Sequence, residues 1–103
     1  MAYSALASPD FTQDVDEAVS YFANTLGSLR AAADLLDGLN AEVTRIREYP
    51  ELRPYSQDPR LASRGYRKSV IGSFVLLYRV DAQRELVRLV HLFYGGRDYA
   101  RYV

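Results

Sequence analysis

The sequence contains no cysteine. A disulfide framework, a thiolate zinc site and a cysteine nucleophile are thereby excluded, and a reducing compartment is permitted. Its single histidine, His91, rules out a histidine-rich metal cluster, and the scattered carboxylates show no ligand spacing. No apolar run approaches the roughly 20 residues that a bilayer-spanning helix requires. The opening MAYSALASPDF has neither the basic start nor the apolar stretch of a secretory signal. The expected location is therefore cytoplasmic, without membrane contact. Neither a phosphate-cradling glycine loop nor a GxSxG elbow occurs, and no metal or other cofactor is expected.

Net charge is absent too, since 13 basic and 13 acidic residues cancel, which taken alone argues against a nucleic-acid binder. The cancellation conceals a division. Residues 1–44 hold seven acids against Arg30 alone, a balance of −6, whereas residues 45–103 hold twelve bases against six acids, a balance of +6. Such asymmetry marks either a basic interaction face or two halves that attract each other, and both readings stay open at this point.

What is present has the proportions of one globular domain: 103 residues, 49% hydrophobic and 25% charged. That length builds a single core, so one domain is expected over residues 1–103. AYSALA (2–7) is a short, weak strand candidate. Ser8-Pro9-Asp10 supplies a capping hydroxyl, a first-turn proline and an early acid, and predicts a helix start. Phe11, Val15, Ala18, Val19 and Phe22 recur at helical spacing behind it, until Gly27-Ser28 breaks and recaps the chain. Leu29, Ala32, Leu36, Leu39, Val43 and Ile46 then step by three and four over about five turns, predicting a long second helix that lies antiparallel to the first. Its seam is too short to read as a coiled-coil dimer, and core packing is expected.

Residues 49–65 hold three of the four prolines and no sustained period, and read as a long loop. YRKSVI (66–71), SFVLLYRV (73–80) and ELVRLVHLFY (85–94) are rich in β-branched and aromatic residues and predict an antiparallel meander. In the middle strand Phe74, Leu76, Tyr78 and Val80 share one face, and Val75, Leu77 and Arg79 the other. Both faces are largely apolar while the helix pair covers only one, so the second face is expected to await a partner. The fold class is α+β: an antiparallel sheet in the order β-α-α-β-β-β with a helical hairpin on one face. The pairing of the first strand is not legible in the sequence.

Cations and phenols collect in the basic half: Arg67, Lys68, Arg79 and Arg88 on the strands, then Arg97, Tyr99, Arg101 and Tyr102 after Gly95-Gly96. Arginine offers a planar fork for phosphate or carboxylate, and tyrosine a stacking face and a hydroxyl. Metal-independent RNA cleavage needs such groups, and an acidic peptide partner would use the same ones. His91 alternates with Leu89 and Phe93, as either a structural histidine or a proton-transfer group. Gly95 and Gly96 are expected to turn the chain off the sheet and carry residues 97–103 across its edge.

SPDFTQDVDEAVSYF, the long second helix, EYPELRPY, GYRKSVIGSFVLLYRVD and the closing YGGRDY together resemble the RelE/ParE superfamily of bacterial toxins, over essentially the whole chain. The resemblance implies a helical hairpin packed on an antiparallel sheet, and a type II toxin–antitoxin module in which a cognate antitoxin wraps the toxin in a hetero-oligomer. It implies one of two activities: ribosome-dependent mRNA cleavage, as in RelE-like members, or poisoning of DNA gyrase, as in ParE-like members, which are not known to use a nuclease site. Aligning the Leu-Val-Tyr core of RelE-like middle strands with Leu76-Leu77-Tyr78 puts Val75 where an arginine is common. The longer helical hairpin, Arg67 and the Tyr94-Gly95-Gly96-Arg97-Asp98 ending are ParE-like, with tyrosine where histidine is frequent. The expected reading is a ParE-like toxin that inhibits gyrase, with enzymatic activity left open. Its antitoxin- or target-binding surface is drawn from Arg67, Lys68, Val75, Leu77, Arg79, Arg97, Tyr99, Arg101 and Tyr102. Under the alternative, an endoribonuclease, Arg67, Lys68, Arg79, His91, Arg97 and Tyr102 form the catalytic pool; a third reading is a non-toxic binding module. The antitoxin segment is expected to be acidic with apolar anchors.

Overall fold

A computed structural model of the chain describes residues 2–95 and Val103. Its elements run β1 (Ser4–Ala7), α1 (Pro9–Ser20), a π-helical turn (Tyr21–Thr25), α2 (Leu29–Glu48), α3 (Pro59–Ser63), β2 (Arg67–Ile71), β3 (Phe74–Asp81) and β4 (Leu86–Tyr94). The start of α1 obeys the sequence cues: the Ser8 hydroxyl accepts a hydrogen bond from the Phe11 N–H at 3.0 Å, with Pro9 at the first helical position. Ser28 caps α2 in the same way through Ala31 N–H at 3.1 Å.

The three-strand meander is antiparallel as expected, but the sheet as a whole is mixed. Its order is β1-β4-β3-β2, and β1 runs parallel to β4, Ser4 facing Leu86 and Ala7 facing Leu89. Parallel pairing needs a long crossover, which the intervening helices and hairpins supply. The hairpin β2–β3 turns on Gly72-Ser73, where Gly72 has φ +56°; a positive φ at the first turn position favours glycine. Of the Gly95-Gly96 pair expected to turn the chain off the sheet, the structure describes Gly95, a turn residue just past the end of β4. Its N–H donates to Ser73 O at 2.7 Å, prolonging the β3–β4 ladder, and a Cβ there would meet that carbonyl oxygen at 3.1 Å. Gly96 lies outside the described residues.

Two apolar clusters sandwich the sheet. On the helix side Leu76, Tyr78, Val87, Leu89 and Leu92 pack against Phe11, Leu35, Leu39 and Ile46. The buried stripe of α2 is Ala32, Leu35, Leu39, Glu42 and Ile46, which corrects the seam expected through Leu29 and Leu36, both exposed. The two stripes share Ala32, Leu39 and Ile46; the partners that Glu42 finds beneath the helix decide the rotation. On the far side Val75, Leu77 and Phe93 pack with Leu61 of α3, Tyr66 and Val103. That face is therefore covered by the chain itself, contrary to the expectation of an open sheet awaiting a partner. The cover comes from the stretch read as plain loop, because Asp58 caps a short helix through Arg60 N–H at 2.9 Å and Leu61 N–H at 3.2 Å, and Leu61 is its buried anchor.

A β-bulge interrupts β4. Leu77 faces His91 while Tyr78 faces Leu89, leaving Val90 unopposed. The expected alternation of Leu89, His91 and Phe93 on one face is thus broken: Leu89 joins the helix-side core, and His91 stacks on Phe93 at 4.8 Å between ring centroids.

Candidate functional site

The cationic side chains of the strands do not form one cluster. Arg67, opposite Tyr78 on the edge strand, is turned onto the preceding segment. Its guanidinium donates to Arg53 O at 2.7 Å and lies 4.0 Å from the centroid of the Tyr55 ring. Lys68 donates its backbone N–H to Pro54 O at 3.0 Å, and Ser56 N–H reaches Tyr66 O at 2.9 Å. Residues 54–56 therefore shield part of the free edge of β2, the usual weakness of an outer strand. Beyond them Val70 is 65% exposed.

Beneath this segment lies a polar centre that the sequence reading missed. Glu42 on α2 accepts two hydrogen bonds from the Arg53 guanidinium, at 2.7 and 2.9 Å, and one from the Ser69 hydroxyl. Arg45 adds a contact at 3.5 Å. The Glu42 side chain is only 7% exposed. The Arg53 hydrogen bonds hold its carboxyl below the usual range, outweighing the upward push of burial, and the same pairing raises Arg53. Tyr78 donates its hydroxyl to Pro50 O at 3.2 Å, and burial pushes its pKa up. Among the described residues no buried side-chain nitrogen or oxygen lacks a partner. A legible signal existed: Glu42 sits between Leu39 and Ile46 at helical spacing, and a carboxylate inside an apolar stripe is rarely buried unpaired.

Arg79 and Arg88 face each other across β3 and β4 on the far side of the sheet, with Arg79 5.3 Å from the centroid of the Tyr66 ring. Asp81, near the same end, is held below its usual range by the Arg84 backbone N–H first and by the Arg84 and Arg88 charges after it. Like charges directly opposite on a sheet repel. Arg88→Gln is therefore expected to raise stability by about 0.5 kcal/mol at low salt, with the gain shrinking at high salt. Urea unfolding at two ionic strengths reads this; a loss of stability at low salt would show that Arg88 is held by attraction instead.

His91, on β4, shares the face of Leu77 and Phe93 but lies toward the opposite edge of the sheet from Arg67. Past the end of β1 the edge of β4 is closed by α1: Ser8 Oγ donates to Val90 O at 2.8 Å, and Asp14 Oδ2 accepts the Leu92 N–H at 3.0 Å. The same oxygen lies 3.0 Å from His91 Nδ1, and Asp10 lies 3.9 Å from Nε2. Of the residues expected for a nuclease pool, the described ones lie on three strands: Arg67 and Lys68 on β2, Arg79 on β3 and His91 on β4. Arg67 and His91 stand two strands apart, about 10 Å, with β3 between them. Val75 and Leu77, expected at a binding surface, are buried beneath Leu61 and Val103. Arg97, Tyr99, Arg101 and Tyr102 lie outside the described residues.

A family model described as the ParE toxin of the parDE type II toxin–antitoxin system matches residues 6–99. The chain belongs to the ParE toxin family. Toxin ParE1 of Caulobacter vibrioides is 32% identical over 86 residues, 84% of this chain and 85% of that protein. The same architecture occurs in the chromosomal ParDE system of Pseudomonas aeruginosa, with a TM-score of 0.69 at 15% identity over 90% of this chain and 96% of the other. It occurs again in the RelBE2 toxin–antitoxin complex of Mycobacterium tuberculosis, with a TM-score of 0.62 at 15% identity over 91% and 99%. At that identity the two structures speak to the ParE-family fold alone. Among the described residues no helix is long and apolar enough to cross a membrane.

Proposed function

We propose that this ParE-family toxin is neutralised by a cognate antitoxin and, when free, inhibits DNA gyrase by protein–protein contact in the cytoplasm. The observation that carries the choice of target is Val75. Where RelE-like chains commonly hold an arginine, this side chain is 4% exposed inside an apolar cluster with Leu61, Leu77 and Phe93. A buried valine supplies no cation for a pentacovalent phosphate.

For the antitoxin, the cations Lys68, Arg79 and Arg88 favour an acidic segment. With Val75 and Leu77 buried, its apolar anchors would meet exposed Val70 and Leu6 instead. A supercoiling assay with purified gyrase, run beside a translation-coupled mRNA cleavage assay, tests the reading. The expected result is loss of supercoiling with no cleavage, and relief on adding the antitoxin. Cleavage without gyrase inhibition would replace this reading with the ribonuclease one, and inactivity in both would leave a binding module.

A further inference from the structure

The helix side of the molecule carries a second surface, opposite in sign to the far face. A cleft of about 830 Å³ opens between α1 with its π-helical turn and the ends of β3 and β4. Four rings line it in an unbroken chain: Tyr21 to Phe22 at 6.0 Å between centroids, Phe22 to Phe74 at 5.9 Å, and Phe74 to Tyr94 at 5.9 Å, the last two edge to face. Tyr21 and Tyr94 remain 51% and 60% exposed. Asp14 and Glu17 line the same wall, one oxygen of Asp14 being held by His91 and the Leu92 N–H, and among the described residues no lysine or arginine lines the cleft.

The backbone is shaped around this cleft. Leu26 N–H donates to Tyr21 O at 2.9 Å, five residues back, so the chain widens into a π turn at the two aromatic residues. Such turns are less favourable than α-helix and occur mostly at functional positions. Widening the helix here brings both Tyr21 and Phe22 to the wall. Exposed aromatic faces carry negative potential, and two carboxylates add to it, so the cleft disfavours an anion and favours a cation with an apolar stem.

We infer that this cleft receives a lysine or arginine side chain from a partner protein, its stem against the rings and its charge toward Asp14 and Glu17. The inference is independent of the gyrase reading and concerns a surface distinct from the basic one proposed for the antitoxin's acidic segment. A partner that spans both surfaces must itself carry charge of both signs.

The test uses the full chain, labelled with nitrogen-15, and three capped tripeptides: Leu-Arg-Leu, its neutral citrulline isostere, and Leu-Glu-Leu. The arginine peptide is expected to shift the amide signals of Tyr21, Phe22, Ser73 and Tyr94. It should bind about tenfold more tightly than the citrulline peptide, with the difference shrinking as salt is added. Glu17→Gln and Tyr94→Ala should each weaken it about threefold without altering the remainder of the spectrum. Equal binding of the arginine and citrulline peptides, preference for the glutamate peptide, or shifts confined to the far face would overturn the inference. Unchanged affinity in both variants would do so as well.

Discussion

Arg53→Met is expected to lower the unfolding free energy by about 3 kcal/mol, because it leaves the Glu42 carboxylate buried without its bidentate partner. Ser69 and the looser Arg45 contact remain but do not replace two charge-assisted hydrogen bonds. The double variant Glu42→Met/Arg53→Met should recover most of the loss, since no orphaned charge remains. The dependence on pH has a defined sign. Glu42 has a folded-state pKa below its ordinary value of 4.5, so its stabilisation is present in full above that value and fades as pH falls through the lower, folded-state value. The deficit of Arg53→Met should accordingly be full at neutral pH and shrink in acid. A deficit that stays constant between neutrality and acid would show that Arg53 acts through packing and not through its charge.

The second large effect belongs to Leu61. It is fully buried and anchors α3 over Val75, Leu77 and Phe93. Leu61→Ala should lower stability by about 3 kcal/mol and expose the far-side apolar cluster, seen as enhanced binding of a hydrophobic dye under native conditions. A loss below about 1 kcal/mol would mean that α3 is an adornment and that the remaining cover suffices.

These residues also mark where the sequence could be read and where it could not. Ser8-Pro9 and Asp58-Pro59 use the same grammar of cap followed by proline. The first was legible because a long periodic pattern follows it; the second precedes only five helical residues, too few to establish a period. The meander was plain from strand composition, but the parallel partner of β1 was not, since nothing local distinguishes one distant edge from another. The face of α2 was ambiguous for a related reason. Leu29, Leu36 and Val43 fit a helical stripe as well as Leu35 and Glu42 do, and the decision rests on Arg53 and Ser69, remote in sequence. The cations were identified as residues, yet their separation follows from the strand order and the bulge at Val90, neither of which leaves a pattern in one sequence.

The strand order also governs when the toxin can exist. β4 lies between β1 and β3, so β1 has no neighbour until residues 86–89 have been made. At ordinary elongation speeds of about 5–20 residues per second, those 80 or so residues occupy roughly 4–16 s. During that interval α1 and α2 have no completed sheet on which to dock. An unfinished nascent chain is therefore denied its native shape until synthesis has passed β4.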